Sequence, residues 1–273
     1  MSIRALYIGE IVGKAGVFAV KTMLPSLRAS YKPDLVIANA SGATGGSGVG
    51  KAHALYLRKL GIDILTTGEA AFYKKDIVDV FPRSPWLLRP LNHPPGVPGS
   101  GLRIHQTSKG PVAVAQLLGQ SGFGRIHLDN PFHALDALLD ELSPRKLPLL
   151  LDFRAGTTAE KNAMFHYADG RVAAVIGSHS RTLTADSCIG PGGTAYITDA
   201  GMTGAMLSVA GMDAHSKIGE YISGIPSWGK EAIKEAEFQG CLVELGDDGK
   251  ARSIEALRFP CREEFHERTG DSH

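Results

Sequence analysis

A chain of 273 residues is long enough to bury a substantial core, and 43% hydrophobic with 21% charged residues excludes disordered and collagen-like classes. Lys plus Arg number 29 against 28 Asp plus Glu, so no long-range field recruits nucleic acid or an anionic membrane. No apolar run approaches membrane-spanning length and no secretory signal pattern opens the chain; Cys188, Cys241 and Cys261 form no CxxC motif and no even-numbered disulfide set, which fits a reducing cytoplasm.

The first third alternates short aliphatic runs with helically spaced apolar residues, the signature of βαβ construction. Strands are expected over residues 5–8, 35–38 and 62–66, and helices over 18–30, 51–60 and 74–81. Residues 82–101 are dense in Pro and Gly and read as a surface-wrapping loop, with one short extended piece over 86–89. Further strands follow over 112–118, 149–153, 172–176 and 194–198, with a helix over 132–142. The last two strands, 240–245 and 251–257, are joined by the hairpin turn Asp247-Asp248-Gly249. Residues 1–260 form one expected domain, and 261–273 a charged tail that frays.

Gly45 to Lys51 match the GxxxxGK part of a phosphate-binding loop. Ala52, however, stands where a hydroxyl would hold magnesium, and Asn39 to Thr44 separate the loop from its strand. The segment reads better as a mobile glycine-rich loop bordering a site.

In α/β folds the loops at the carboxyl ends of strands carry the chemistry. Those ends hold Tyr7-Ile8-Gly9-Glu10-Ile11-Val12-Gly13-Lys14, Asn39-Ala40-Ser41-Gly42, Thr67-Gly68-Glu69-Ala70, Leu151-Asp152-Phe153-Arg154-Ala155 and Gly177-Ser178-His179-Ser180-Arg181. With Asn92-His93-Pro94-Pro95-Gly96 and the stretch Thr194 to Gly204, this succession resembles the bacterial YmdB-like family of calcineurin-like metallophosphoesterases, whose members look like 2′,3′-cyclic-nucleotide phosphodiesterases. The resemblance runs from about residue 4 to 257. It implies an α/β fold of two β-sheets sandwiched between helices, a four-layer α/β/β/α arrangement with two metal ions at one edge.

Two divalent ions about 4 Å apart need several carboxylate, amide and imidazole donors. By the resemblance, Glu10 replaces the family's first Asp ligand, and Ser41 and Gly42 replace a Glu-Asn pair. Glu69 and Ala70 replace an Asn-His pair, so the general-acid position is Ala70 and no catalytic residue is expected. Arg154 and Arg181 replace two His ligands, while His179 survives. A guanidinium has no lone pair for a metal at neutral pH. Glu10, Glu69 and His179 are the remaining candidate ligands, enough at most for one Fe, Mn or Zn ion; no cofactor is the leading expectation.

Arg154 and Arg181 admit two readings: an anion site with Lys14 for a phosphate-bearing small molecule, or simple neutralisation of Glu10 and Glu69. Asp152 and Asp199 read as structural braces, and His93 as a loop residue. Ser41 and Ser178 lie in no nucleophile elbow. The expected function is that of a degenerate phosphodiesterase acting as a binding, regulatory or assembly protein. The alternatives are a residual metal-dependent phosphodiesterase or a non-hydrolysing phosphate or nucleotide binder. Homo-oligomerisation is implied by the resemblance, and a protein partner fits the leading reading.

Overall fold

A computed structural model describes residues 2–123, 128–227 and 229–262; most of the expected tail therefore lies outside the described residues. In chain order the elements are β1 (Ile3–Ile8), β2 (Glu10–Ile11), α1 (Gly13–Tyr31), β3 (Leu35–Asn39), α2 (Lys51–Lys59), β4 (Ile64–Thr66), α3 (Lys75–Val78) and β5 (Leu87–Leu88). Then come β6 (Leu102–Thr107), β7 (Gly110–Leu118), α4 (Pro131–Leu142), β8 (Leu149–Arg154), α5 (Thr158–Ala168), β9 (Ala174–Ser178) and β10 (Cys188–Ile189). The chain closes with β11 (Ala195–Ile197), β12 (Met202–Ala205), α6 (Ala214–Ser223), β13 (Ala236–Leu245) and β14 (Ala251–Pro260).

The strands make two sheets. One runs β2-β12-β13-β1-β3-β4-β5, with β14 also paired to β13; the other runs β10-β11-β9-β8-β7-β6. Strand β1 shows why they stack. Leu6 and Ile8 face the helices α1 and α2, whereas Ile3, Ala5 and Tyr7 face the opposite way. Both faces of the strand are apolar, so both must be covered. The inward face meets Val112, Val114, Leu150 and Ile176 of the second sheet. That sheet's outer face is covered by Leu135 and Leu138 of α4 and Met164 and Phe165 of α5. The result is the four-layer α/β/β/α order.

Several boundaries differ from expectation, each for a local reason. Helix α1 begins five residues before residue 18, a start that Gly13 and Gly16, poor helix formers in its first turn, conceal in the sequence. Position 16 demands glycine, since a Cβ there would lie 2.4 Å from the Thr203 carbonyl oxygen. The expected helix over 74–81 shrinks to Lys75–Val78 and a 3-10 turn at Phe81–Arg83 that Pro82 shapes. The strand expected at 172–176 lies two residues later. The Asp247-Asp248-Gly249 turn does close the β13–β14 hairpin, with Gly249 at φ 76° and the Gly246 N–H donating to Lys250 O at 2.8 Å. Among the described residues no helix is long and apolar enough to cross a membrane.

Candidate functional site: a carboxylate–guanidinium cluster between the sheets

Strands β1, β3 and β4 of the first sheet and β8 and β9 of the second end at one edge, and the sequence-predicted residues sit on the loops that follow. Gly9 lets the chain turn after β1: a Cβ there would meet the Ala200 carbonyl oxygen at 2.5 Å. This turn delivers Glu10, with no exposed surface, to β2. After β3, Asn39 Oδ1 accepts from both the Ser41 N–H (3.0 Å) and Ser41 Oγ (2.6 Å). After β4, Gln116 Oε1 accepts from the Gly68 N–H at 2.8 Å and fixes the turn carrying Glu69 and Ala70. Arg154 is the last residue of β8.

Arg154 links both carboxylates. Its Nη1 donates to Glu10 Oε2 at 2.7 Å and its Nη2 to Glu69 Oε1 at 2.8 Å, and its Nε also bonds Glu69. The side chain is 2% exposed. Arg181 takes the other Glu10 oxygen, through Nε at 3.0 Å and Nη2 at 2.6 Å. Its remaining donors go to the Gly46 carbonyl (2.8 Å) and the Ala210 carbonyl (2.7 Å). Two carboxylates and two guanidiniums leave the cluster without net charge.

The charges shift one another as charge-assisted pairs should. Burial alone would raise the Glu10 carboxyl; Arg154 and Arg181 outweigh it and hold the group down at about 2. Burial likewise opposes ionisation of Glu69, and Arg154 again wins, lowering it. His179 stands at the rim with Nδ1 3.8 Å from Glu69 Oε1 and no hydrogen-bond partner among the described residues. Burial and the nearby Arg154 lower its pKa. Its ring meets Phe123 edge-on at 4.9 Å between centroids.

The backbone of this last loop is strained: His179 has φ 107° and Arg181 φ 56°, values that L residues rarely adopt. It is held from behind. The buried Asp199 carboxylate accepts from the Ser180 N–H at 2.8 Å and pairs with the buried Lys161 at 2.8 Å. Asp152, also buried, accepts from Thr66 Oγ1 (2.6 Å), Gln116 Nε2 (2.8 Å) and Ser178 Oγ (2.8 Å), tying β4, β7 and β9 together. Both aspartates are braces.

Other sequence candidates fall elsewhere. Lys14 lies in the first turn of α1 with an exposed side chain, its backbone N–H on Glu231. His93 is half-buried against Phe72, its pKa lowered to about 4 by burial and Arg89. The hydroxyls of Ser41 and Ser178 donate to Asn39 and Asp152 and are not free nucleophiles. At the glycine-rich loop, Asp76 Oδ2 already accepts from the Lys51 N–H at 3.0 Å, so an internal carboxylate sits at the helix end a phosphate would need. That same loop borders the cluster through Gly46.

Sequence reasoning missed Lys161 together with the helix that carries it, since a lysine reads as solvated. The Thr157-x-x-Glu160 pattern was the available signal for the helix: Thr157 Oγ1 accepts from the Glu160 N–H at 3.3 Å, while the Glu160 carboxylate turns to the Gln120 and Ser121 N–H groups, and Asp199 lies beneath the helix.

A family model described as YmdB-like protein matches residues 6–257. A Bacillus subtilis (strain 168) protein named 2′,3′-cyclic-nucleotide 2′-phosphodiesterase is 36% identical over 247 residues, covering 90% of this chain and 93% of its own. Among solved structures, one from Thermus thermophilus, described as a hypothetical protein, superposes with TM-score 0.86 at 34% identity over 94% of this chain and 99% of its own. Another, from Mycoplasma pneumoniae and described as a novel phosphatase, reaches TM-score 0.89 at 31% identity over 95% and 94%.

Proposed function

Because the chain belongs to the YmdB-like family, a family of phosphodiesterases, we propose that it is a degenerate member whose two-metal site has given way to an internal ion-pair cluster, and that it works as a binding, regulatory or assembly protein. The observation that carries this reading is Arg154, bonded at once to Glu10 and Glu69. A dication between those carboxylates would have to displace a buried guanidinium and would then face Arg181. Ser41, Gly42 and Ala70 add no strong ligand, and among the described residues no three His, Cys, Asp or Glu side chains group as a metal would require. The same bonds favour neutralisation over phosphate capture, since Arg154 is buried and Arg181 is spent on Glu10 and two carbonyls.

A second reading, one metal on Glu10, Glu69 and His179 with residual phosphodiesterase activity, is favoured by a single observation: among the described residues His179 Nδ1 is buried, unpartnered and close to Glu69. Metal analysis of purified protein for Mn, Fe and Zn separates the two, together with assays on bis-p-nitrophenyl phosphate and 2′,3′-cyclic AMP. The proposal expects metal well below one ion per chain and no metal-dependent turnover. Two ions per chain with turnover would refute it; one ion lost in His179→Ala would establish the second reading.

A further inference from the structure

On the inner face of β13, Cys241, Val243 and Leu245 sit in the core between the sheets, and Ile254 and Ala256 of β14 pack against that core. Side chains two residues apart share a face, so Gln239, Glu237 and Arg258 continue it, with Gln239 directly opposite Arg258. Here the face turns polar. It does so at a hollow of about 300 Å³, which these three residues line together with Leu183, Met202 and Met206. Glu237 is 4% exposed, and both of its side-chain hydrogen bonds fall on one oxygen: Oε1 accepts from Gln239 Nε2 and from Arg258 Nε at 2.9 Å. Gln239 Oε1 accepts in turn from the Met202 N–H at 2.9 Å, so the amide is fixed and holds the carboxylate in place. Among the described residues Glu237 Oε2 accepts no hydrogen bond. A buried carboxylate oxygen left unpaired is costly and calls for a donor. Beyond Glu237, Arg258 reaches only Met206 Sδ at 3.9 Å, a weak acceptor, and its side chain is 59% exposed. The hollow therefore offers a free acceptor beside free donors.

We propose that this hollow binds a small planar ligand through a primary carboxamide or an equivalent amide edge, whose N–H donates to Glu237 Oε2 and whose carbonyl accepts from Arg258. Charge selects the class. Glu237 and Arg258 cancel, so a cationic ligand would meet the guanidinium and an anionic one the carboxylate, whereas a neutral donor beside an acceptor complements both. Leu183 and the two methionines supply the apolar wall, and thioethers suit contact with an aromatic ring. The volume lies at the small end of ligand pockets, which fits a single ring with its amide. Arg181 also lines the hollow, but its donors already go to Glu10 and two carbonyls. The site therefore stands whatever the cluster does, and the metal assays and the titration below fail independently.

Benzamide and benzoate form the probe pair, since benzoate keeps the ring and the oxygen but has no N–H to give. Carbon-13 labelling of the methionine methyls makes Met202 and Met206 reporters inside the hollow, with Met23 and Met164 as controls elsewhere. In the wild type benzamide should shift the Met202 and Met206 signals saturably, with a Kd of about 1–10 mM for so small a ligand, and benzoate should bind about tenfold more weakly. In Glu237→Gln the new amide keeps its oxygen on Gln239 and Arg258, which places an N–H where Oε2 stood. That hollow presents donors alone, so the preference should reverse towards benzoate. Arg258→Met, at an exposed side chain, should weaken benzamide about tenfold with an unchanged circular-dichroism spectrum, and it decides the matter if Glu237→Gln fails to fold. No saturable shift at about 20 mM benzamide, or shifts confined to the control methionines, would overturn the proposal. So would equal binding of benzoate by the wild type, an unreversed preference in folded Glu237→Gln, or full benzamide affinity in Arg258→Met.

Discussion

Replacing Arg154 by Met removes the guanidinium that serves two carboxylates while keeping most of the side-chain volume. Taking one partner from a buried ion pair costs about 3–5 kcal/mol, because the other charge stays buried and uncompensated. Arg181 remains on Glu10, and Glu69 reaches some solvent, so the expected loss near neutral pH is about 4 kcal/mol. The pH dependence carries the sharper information. In the wild type the Glu10 carboxyl lies at about 2 against 4.5. This depressed group contributes about 3 kcal/mol above its unfolded value, and the contribution disappears as pH falls through its folded value. In Arg154→Met burial is opposed only by Arg181, so the Glu10 pKa rises and protonation relieves the penalty. The deficit of the variant is therefore larger at about pH 8 than at about pH 5. Urea unfolding followed by circular dichroism at both pH values measures it. A loss under about 1 kcal/mol, or a deficit independent of pH, would refute the reasoning that this cluster is an ionised buried network.

A Cβ at Gly42 would sit 3.0 Å from Arg181 Nη2 and 3.1 Å from Glu10 Oε1. Gly42→Asn alone should cost about 1–3 kcal/mol, and markedly less in an Arg181→His background, so a double-mutant cycle should give a coupling of about 1 kcal/mol or more; additive effects would contradict the packing account. Lys161→Met strands the Asp199 carboxylate beneath α5 and should lower Tm by about 10 °C in a thermal melt. An unchanged Tm would show that the brace is dispensable. Cys241 is buried, its thiol pushed up to about 12 by burial, whereas Cys188 is exposed. Ellman's reagent should reach Cys188 in the native protein and Cys241 only after denaturation, and native labelling of Cys241, located by mass spectrometry, would count against the core described.

Strands such as Leu35–Asn39 are legible from sequence because both faces are apolar and the run is short. The presence of α1, α2 and α4 follows from helical spacing in the same way. Helix α5 escapes that logic: the buried Lys161 breaks its apolar stripe, and only tertiary placement beside Asp199 explains it. Helix α6 escapes for the opposite reason, since none of its residues is fully buried. The pairing of Arg154 and Arg181 with Glu10 and Glu69 follows from opposite charges at neighbouring strand ends. Which arginine takes which carboxylate does not, because it depends on the second sheet carrying Arg154 to the mid-point between Glu10 and Glu69 while Arg181 reaches Gly46 and Ala210. The Asp76 carboxylate at the start of α2 was hidden for a similar reason: it lies 25 residues away in sequence.

Glu10 belongs to one sheet and Arg154 to the other, so their bond is a clasp across the seam of the sandwich. A clasp made of the chain's own side chains closes as soon as the two halves meet. Its two ends lie 144 positions apart in the chain, so the edge is fastened by residues that only the stacked sheets bring together.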